Sequence, residues 1–437
     1  MTRSATARQR AAVAHVFRRL SMGPQPDLVL ATADPHAAIA RALDLGAPAA
    51  VPPPMTAPPN YDSARVVSAI AEPIAWWIGQ MRTSPRLIEE RLIWFWHDHF
   101  ATGLQKVQIP YLMWQQHLLI RQHATGNFAT LLKAISRDPA MLVYLDGVTN
   151  TARERNENFG REAMELFTLG RGNYTEQDVV AAARSFTGWV VNVPGRPASR
   201  GLTNAPWTST FVPARFDAAP KTLLGATANL DLDGALDVLL AQDATGIRIA
   251  TKLYTELVGT PPPDKTARRL GRGFRDGGYE IMPLVAAITA EPAFLAADAI
   301  GAKVRSPVEK LVGLTQAIPP ASVAVGKVGP RAGSGSAAGR LGLGDVLRTL
   351  DYVPFFAPNV AGFPKGTALL GPHQFVHAFD LLAVYPSAPA VPATVDGLFT
   401  RFALHEVGDR TRAVVKREPD PTRRLALVVS APEYAVT

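Results

Sequence analysis

The sequence predicts a mainly α-helical protein: a large multi-helical chain with long loops and little or no sheet. Three observations lead to this prediction. Apolar residues recur at helical spacing through most of the 437 residues, no alternating series typical of strands is found, and no regular repeat divides the chain. A composition with 47% hydrophobic and 19% charged residues is that of a globular protein with a substantial core. By length alone, the chain could hold two or three domains.

Helical periodicity begins near the N-terminus and is interrupted by a proline-rich segment. Residues 47–61 contain Pro52, Pro53 and Pro54, followed by two more prolines, which favours an extended connector over a helix. The predicted helices of this part cover residues 7–21 and 35–45, resume after Ser63 and after Pro85, and continue through 111–126 and 128–137.

The most distinctive stretch is residues 156–189, which predicts two helices joined by a tight turn. Gly170 and Gly172 end the first helix, because glycine readily adopts the left-handed conformation found at helix ends. Thr175 and Asp178 predict a capping box at the start of the second. At about 100° per residue, the first helix has one polar stripe, which consists of Asn158, Arg161, Glu162 and Glu165.

The helical pattern loosens after this stretch and then returns. Residues 190–220 predict a long loop, which is either a lid over a site or a plain surface excursion. Residues 330–344, rich in glycine and serine, predict a flexible loop. The remaining predicted helices cover residues 232–240, 247–258, 265–276, 281–289, 307–318, 345–350, 375–384, 395–405 and 422–430.

Composition and missing motifs limit the chemistry. The chain has no cysteine, which excludes disulfides, thiolate metal sites and cysteine nucleophiles. A net charge of +8 is mild for this length, and without a nucleic-acid-binding motif we expect no nucleic-acid partner. No phosphate-binding loop, dinucleotide fingerprint or nucleophile elbow is present, which argues against the common NTPase, dehydrogenase and hydrolase designs.

The sequence gives only a default prediction of the cellular compartment. No apolar run is long enough to span a bilayer, and residues 1–19 lack the apolar core of a secretory signal. The sequence therefore predicts a cytoplasmic protein without a membrane span.

Two histidines and two glutamates form the first candidate site. Glu162 and Glu165, three residues apart, share a helical face where a cation or a proton must offset their repulsion. His97 and His99 are two apart and reach one ligand only if their helix ends there. Together the four side chains would offer nitrogen and oxygen ligands to a divalent transition metal, the cofactor that this arrangement suits. As catalytic groups they would act as acids or bases, with Arg161 holding an anion.

The same residues also have a purely structural interpretation. Each histidine could cap a helix or bond a buried carbonyl. The two glutamates could pair with Arg161 and Arg184 in an ion network between helices. The Glu-X-X-His spacing of helical di-metal proteins is absent. Both interpretations stay open.

Three loop residues are candidate ligand-binding groups. Lys221 follows Pro220 and could meet an anionic group, although a lysine at such a junction is commonly a solvated charge. Asn359 and Lys365 belong to a loop rich in proline and glycine. Such a loop either cradles a ligand or packs its apolar side chains, here including Phe363, into the core.

Eight sequence blocks in one order cover nearly the whole chain. They begin at His15, Phe95, Asn156, Tyr174, Thr187, Lys221, Ser306 and Pro358, and the block from Asn156 to Gly170 is the most specific. Together they resemble the uncharacterised bacterial family called domain of unknown function 1800 (DUF1800). This chain departs from the family pattern at Phe216 and Phe363, where the family often has histidine and tryptophan.

The resemblance implies a large single helical family domain over residues 1–437, without an established activity. Family members are often exported, and they are often encoded beside proteins with a sulfatase or phosphatase-like fold. The resemblance therefore implies a partner protein of that fold, and it sets an exported location against the cytoplasmic default.

Two functions follow from the sequence. The first is a helical scaffold or accessory protein whose surface binds a partner protein. The alternative is a metal-dependent or acid/base enzyme that uses the His/Glu site between the central helices. Substrate, reaction and oligomeric state do not follow from the sequence.

Overall fold

The computed structural model describes residues 2–196, 202–320, 343–385 and 387–437. Across these ranges the chain forms 23 α-helices and two small two-stranded sheets, which confirms the predicted mainly α fold with little sheet. In the same ranges, no helix combines the length and the apolar character needed to cross a lipid bilayer.

The first ten helices lie before the central segment. Asp34, Asn127 and Asp138 cap three of them, each accepting a hydrogen bond from a first-turn amide. Residues 47–60, in the proline-rich connector, contain neither helix nor strand. The helices are α1 Thr2–Leu20, α2 Pro26–Ala31, α3 Pro35–Leu43, α4 Tyr61–Ala64, α5 Ala71–Thr83, α6 Leu87–His99, α7 Leu104–Val107, α8 Pro110–His123, α9 Phe128–Ser136 and α10 Pro139–Tyr144.

The central segment contains α11 (Asn158–Glu162), a π-helical turn (Ala163–Phe167) and α12 (Glu176–Ser185). Gly170 and Gly172 have φ values of 84° and 81°, as the predicted left-handed helix end requires. The capping box predicted for α12 is present and pairs the Thr175 and Asp178 side chains with each other's backbone amides.

Four short strands follow the central segment. β1 (Trp189–Val191) pairs antiparallel with β2 (Ser209–Phe211), so the first part of the predicted 190–220 loop is a hairpin; residues 197–201 lie outside the described ranges. β3 (Lys221–Leu223) pairs antiparallel with β4 (Ala226–Ala228). Whether the loop is a lid stays a prediction.

The last eleven helices of the described ranges begin after these strands. The predicted flexible loop 330–344 lies outside the described residues except for its last two, which open α18. The remaining helices are α13 Leu232–Leu240, α14 Asp243–Val258, α15 Asp264–Asp276, α16 Ile281–Thr289, α17 Pro307–Ala317, α18 Leu343–Thr349, α19 Pro372–Val376, α20 Val395–Arg401, α21 Asp409–Arg417, α22 Pro421–Val429 and α23 Pro432–Ala435.

Three helices in the core, α6, α14 and α17, carry residues of the candidate site. Every residue of α6 and of α17 is buried, although both contain charged side chains. α14 packs closely along α15, because two glycines meet there: a Cβ on Gly271 would lie 2.4 Å from the Ile247 Cα atom. The close packing fixes the face that α14 presents to the rest of the core.

Candidate functional site

A cavity of about 520 Å³ lies between α6, α14, the start of α17 and the segment 352–369. Part of its lining is apolar and aromatic, from Trp94, Phe95, Tyr352 and Leu369. The rest carries charge, from Asp98, Lys252, Glu256, Lys303, Glu309 and Lys365. A concave, mostly apolar space with a few convergent polar groups is the usual form of a small-molecule site.

α14 contributes the longest charged stripe to this region. Arg248, Lys252 and Glu256 follow one another at intervals of four residues and therefore lie along one face of the helix. The other face holds fully buried leucine and isoleucine residues that anchor it in the core. The stripe is thus fixed in position by apolar packing on the opposite side of the helix.

Lys252 is held by a histidine of α6. Its Nζ atom lies 2.7 Å from Nδ1 of His99, and Nε2 of His99 lies 3.2 Å from the Phe167 carbonyl oxygen. Because a carbonyl oxygen only accepts hydrogen bonds, Nε2 carries the proton and Nδ1 accepts from Lys252. Burial, with the nearby charges of Lys252 and Arg248, holds the pKa of His99 well below its ordinary value, so the ring is neutral.

The environment of Lys252 disfavours its charged form. Burial, followed by the positive charges of Lys365 and Arg248, lowers the pKa of Lys252 to about 7, against the opposing effect of Asp98. At neutral pH a large fraction of this amine is therefore unprotonated. A neutral amine that donates one N–H to His99 keeps its lone pair for another atom.

Asp98 and Lys365 form an ion pair at the wall of the cavity. Asp98 is 5% exposed and also accepts a 2.7 Å hydrogen bond from the Phe363 amide. The loop that contains Gly362 and Phe363 approaches Asp98 closely because Gly362, with φ 96°, has no side chain. A Cβ atom on Gly362 would lie 2.3 Å from Asp98 Oδ1. Burial alone would lower the pKa of Lys365, but Asp98 and Glu256 outweigh it and raise the pKa, so Lys365 remains a cation.

Two carboxylates share two cations at the floor of the cavity. Glu309 lies 2.6 Å from Arg91 and 3.0 Å from Lys303, and Glu256 lies 3.1 Å and 2.5 Å from the same two groups. Ser306 donates its amide and hydroxyl to Glu309, completing the capping box of α17. Burial alone would raise the pKa of Glu309, but Lys303 and Arg91 outweigh it and hold the pKa well below its ordinary value.

His97, the other histidine of the predicted pair, has a structural position. Its Nε2 accepts a 3.2 Å hydrogen bond from the Phe355 amide, and its ring lies 5.0 Å from that of Trp77. Burial lowers the pKa of His97 to about 4, which makes it a neutral acceptor. The sequence interpretation of a bond to a buried carbonyl thus fits His99, whereas His97 accepts from an amide.

The predicted glutamates point elsewhere. Glu165 pairs with Arg171 and accepts a 2.9 Å hydrogen bond from Tyr174, while Arg161 pairs with Glu176 at 2.7 Å. The suggested pairing of Arg184 with the two glutamates is wrong, since Arg184 pairs with Asp217, whereas the charge of Arg161 does act on the pKa of both glutamates. Burial, with the Glu165 charge, raises the pKa of Glu162.

The two predicted pairs are not brought together. Within the described ranges, no three or more histidine, aspartate or glutamate side chains are grouped so that they could hold a metal ion, so the arrangement of His97, His99, Glu162 and Glu165 does not form. The central segment does reach His99, but through the backbone carbonyl of Phe167 in its π-helical turn.

The side chains of Lys221 and Asn359 form hydrogen bonds with nearby backbone groups. Lys221 is 1% exposed, donates to the Leu230 carbonyl at 2.9 Å and lies 4.4 Å above the Phe216 ring, so it is neither solvated nor on the cavity. Asn359 is exposed and accepts a 2.9 Å hydrogen bond from the Ala361 amide. Of the three predicted ligand-binding residues, only Lys365 lines the cavity.

Several residues of the cavity were missed by sequence reasoning. The spacing of Arg248, Lys252 and Glu256 was visible in the sequence, but charges at intervals of four are also typical of a solvated helix face, so the spacing did not indicate a site. Ser306 and Glu309 were visible as a family block but were interpreted only as a helix start. Arg91 and Lys303 carried no local signal.

Comparison with known proteins adds a family. A family model described as a protein of unknown function (DUF1800) matches residues 15–436. No curated protein matches the chain, and no solved structure matches it.

Proposed function

The chain belongs to the DUF1800 family, and we propose that it is an enzyme whose reactive group is the amine of Lys252. In this proposal the amine attacks the carbonyl carbon of a small molecule bound in the cavity between α6, α14 and α17. The single observation that carries the proposal is the position of Nζ at the cavity, 2.7 Å from a neutral His99 ring.

The arrangement supplies what a nucleophilic lysine needs. An ammonium ion has no lone pair, so a lysine reacts only where its surroundings favour the neutral amine, as partial burial beside other cations does. Both conditions apply to Lys252, whose neighbours include Lys365 and Arg248. His99, which is itself fixed by the Phe167 carbonyl, directs one N–H and thereby orients the lone pair.

The reaction balances without a further reactant. The Lys252 nitrogen forms a bond to the carbonyl carbon, and the resulting adduct loses water, which carries away the carbonyl oxygen and two hydrogens from the amine. The product is an imine joining Nζ to the substrate carbon. Lys365, which remains charged beside Asp98, is available to donate a hydrogen bond to the oxygen as negative charge develops on it.

This proposal develops the acid/base alternative predicted from the sequence and moves it to other residues. The cavity favours it over a scaffold, because a scaffold does not require a reactive amine at a concave surface. The accessory role, a partner of sulfatase or phosphatase-like fold, and a bound divalent metal all stay predictions.

The test is imine trapping with benzaldehyde, an uncharged aldehyde, followed by borohydride reduction and peptide mapping. We expect Lys252 to be modified ahead of the exposed lysines. The rate should rise with pH to a midpoint of about 7, because only the unprotonated amine attacks.

Two variants make the result specific. Lys252→Met should abolish the dominant modification, whereas Lys133→Met, which removes a partly exposed lysine from α9, should leave it unchanged. Modification spread over the exposed lysines, with Lys252 unmodified in a folded protein, would refute the proposed function.

A further inference from the structure

A second concave space adjoins the cavity. A groove of about 580 Å³ runs between α14, α15 and the end of the central segment. Thr251 and Lys252 line both spaces, so the reactive amine stands where they meet. A molecule bound at Lys252 therefore has room to extend into the groove.

Arg248 dominates the groove electrostatically. It donates through Nε to the Leu166 carbonyl at 3.4 Å, and Gly170 leaves room for the guanidinium, since a Cβ there would lie 2.8 Å from Nη1. In the part of the chain that the structure describes, Arg248 forms no ion pair, unlike most of the arginines around it. Burial lowers the pKa of Arg248 although the charge of Glu165 opposes this effect, so the neighbouring carboxylate compensates the buried cation only in part.

The other charges of the groove do not supply that compensation. Asp243 pairs with Arg272 and Arg275. Asp264 is exposed at the start of α15, and the exposed Arg268 adds another positive charge to the lining. The groove thus contains a fixed, half-buried guanidinium whose remaining N–H groups are available to a ligand.

The distance between Arg248 and Lys252 limits the size of a ligand that contacts both. Arg248 and Lys252 are four residues apart on α14, so their Cα atoms are separated by about 6 Å along the helix axis. A substrate with its carbonyl group at Lys252 would therefore place a group a few bonds away beside Arg248. Phosphate and carboxylate are the groups whose oxygens match the paired N–H groups of a guanidinium.

We propose that Arg248 is a substrate-binding residue, and that the substrate is a small aldehyde or ketone carrying a phosphate or carboxylate a few bonds from its carbonyl carbon. This inference rests on the proposed function of Lys252 and names the substrate class. The cavity holds the carbonyl end, and the groove holds the oxyanion.

The test compares matched aldehydes in the trapping reaction at Lys252. Pyridoxal phosphate is compared with 5-deoxypyridoxal, which lacks the phosphate and cannot close to a hemiacetal, and formylbenzoate is compared with benzaldehyde. The two pairs separate a phosphate preference from a carboxylate preference. We expect one charged aldehyde to modify Lys252 about tenfold faster than its uncharged counterpart, the effect of one charge-assisted hydrogen-bonded contact.

Variants assign the preference to Arg248. Arg248→Gln should remove the advantage of the charged aldehyde over the uncharged one, and Arg248→Lys should restore part of it. Because the Arg248 charge also lowers the pKa of Lys252, the two rates are compared as a ratio on the alkaline plateau, where the amine is unprotonated. Arg41→Gln, on the remote helix α3, is the matched control and should behave as the wild type. Should Arg248→Gln fail to fold, inorganic phosphate offers the same test on the wild-type chain, where it should slow the charged aldehyde only.

The outcomes separate the two proposals. Equal modification of Lys252 by charged and uncharged aldehydes would overturn the oxyanion site and leave the proposed function standing. A charged-aldehyde preference that persists in folded Arg248→Gln would also overturn it. Absence of modification at Lys252 by every aldehyde would overturn the proposed function and this inference with it.

Discussion

Two regions of this molecule contain similar charged residues in different surroundings. The surface stripe of the central segment consists of Arg161, Glu162 and Glu165, and the cavity wall includes Lys252 and Glu309. The Arg161 side chain is 35% exposed, and that of its partner Glu176 76%, whereas the Glu309 side chain is 4% exposed. Water therefore screens the ion pair of Arg161 with Glu176, whereas the buried Glu309 depends on its protein partners.

The difference teaches that burial decides what a charged residue can do. An exposed ion pair contributes little, because water already solvates both groups. In the cavity, desolvation lowers the pKa of Lys252 and fixes neutral His99 as an acceptor. Residue type and local spacing are alike in the two regions, so neither separates a reactive group from a solvated one.

The largest expected effect is on stability, from Glu309. Glu309→Gln leaves Arg91 and Lys303 with one fewer compensating carboxylate and should lower the free energy of unfolding by about 3–5 kcal/mol. Glu176→Gln, in the exposed pair with Arg161, should leave it unchanged. Urea unfolding of both variants measures this comparison, and equal losses would remove the distinction between the two regions.

The ionisation of Glu309 also predicts how the free energy of unfolding depends on pH in acid. The folded-state pKa of Glu309 lies below its ordinary value of 4.5, so its stabilising contribution is present above that pH and is lost as pH falls through the folded-state value. The difference in unfolding free energy between the wild type and Glu309→Gln should therefore shrink in acid. A constant difference over that window would contradict the assigned ionisation.

An intermediate effect is expected from His99, which positions Lys252. His99→Phe removes the acceptor for the Lys252 N–H, so trapping at Lys252 should slow several-fold. The midpoint of its pH profile should fall, because the ammonium form loses a hydrogen bond. His99→Gln, which can accept, should restore part of the rate.

The neighbouring histidine provides the control for that experiment. His97→Phe removes a hydrogen bond to the Phe355 amide and should lower stability without moving the midpoint for Lys252. Equal shifts in both histidine variants would mean that His99 acts on the fold alone.

The smallest effect on trapping is expected from Arg161 and Glu162, in the polar stripe of the central segment. Glu162→Gln and Arg161→Gln should leave the trapping rate and its pH profile at wild-type values, since neither side chain lines the cavity. Trapping kinetics check both variants. A clear loss of rate in either variant would contradict the assignment of the reactive group to the cavity.

Much of the fold follows from local sequence patterns. Gly170 and the capping box of Thr175 with Asp178 act over a few residues, so the chain itself specifies these helix ends. Amphipathic periodicity likewise locates helices such as α14, because burial of one face is required of any helix on a core.

The site is harder to predict because it depends on contacts distant in sequence. His99 and Lys252 are 153 residues apart, and no local pattern indicates that their helices meet. The central segment contributes the Phe167 carbonyl, which a side-chain pattern does not reveal. The sequence prediction placed the site on the polar side chains of this segment, although these side chains pair with groups other than the histidines.

The most direct measurement is the ionisation of Lys252 itself. Side-chain NMR of isotope-labelled lysines would be followed from about pH 5 to about pH 11, with Lys252→Met to assign the signal. The account predicts one lysine with a midpoint of about 7 that is missing from the variant. A Lys252 signal that titrates near its ordinary value of 10.5 would contradict it.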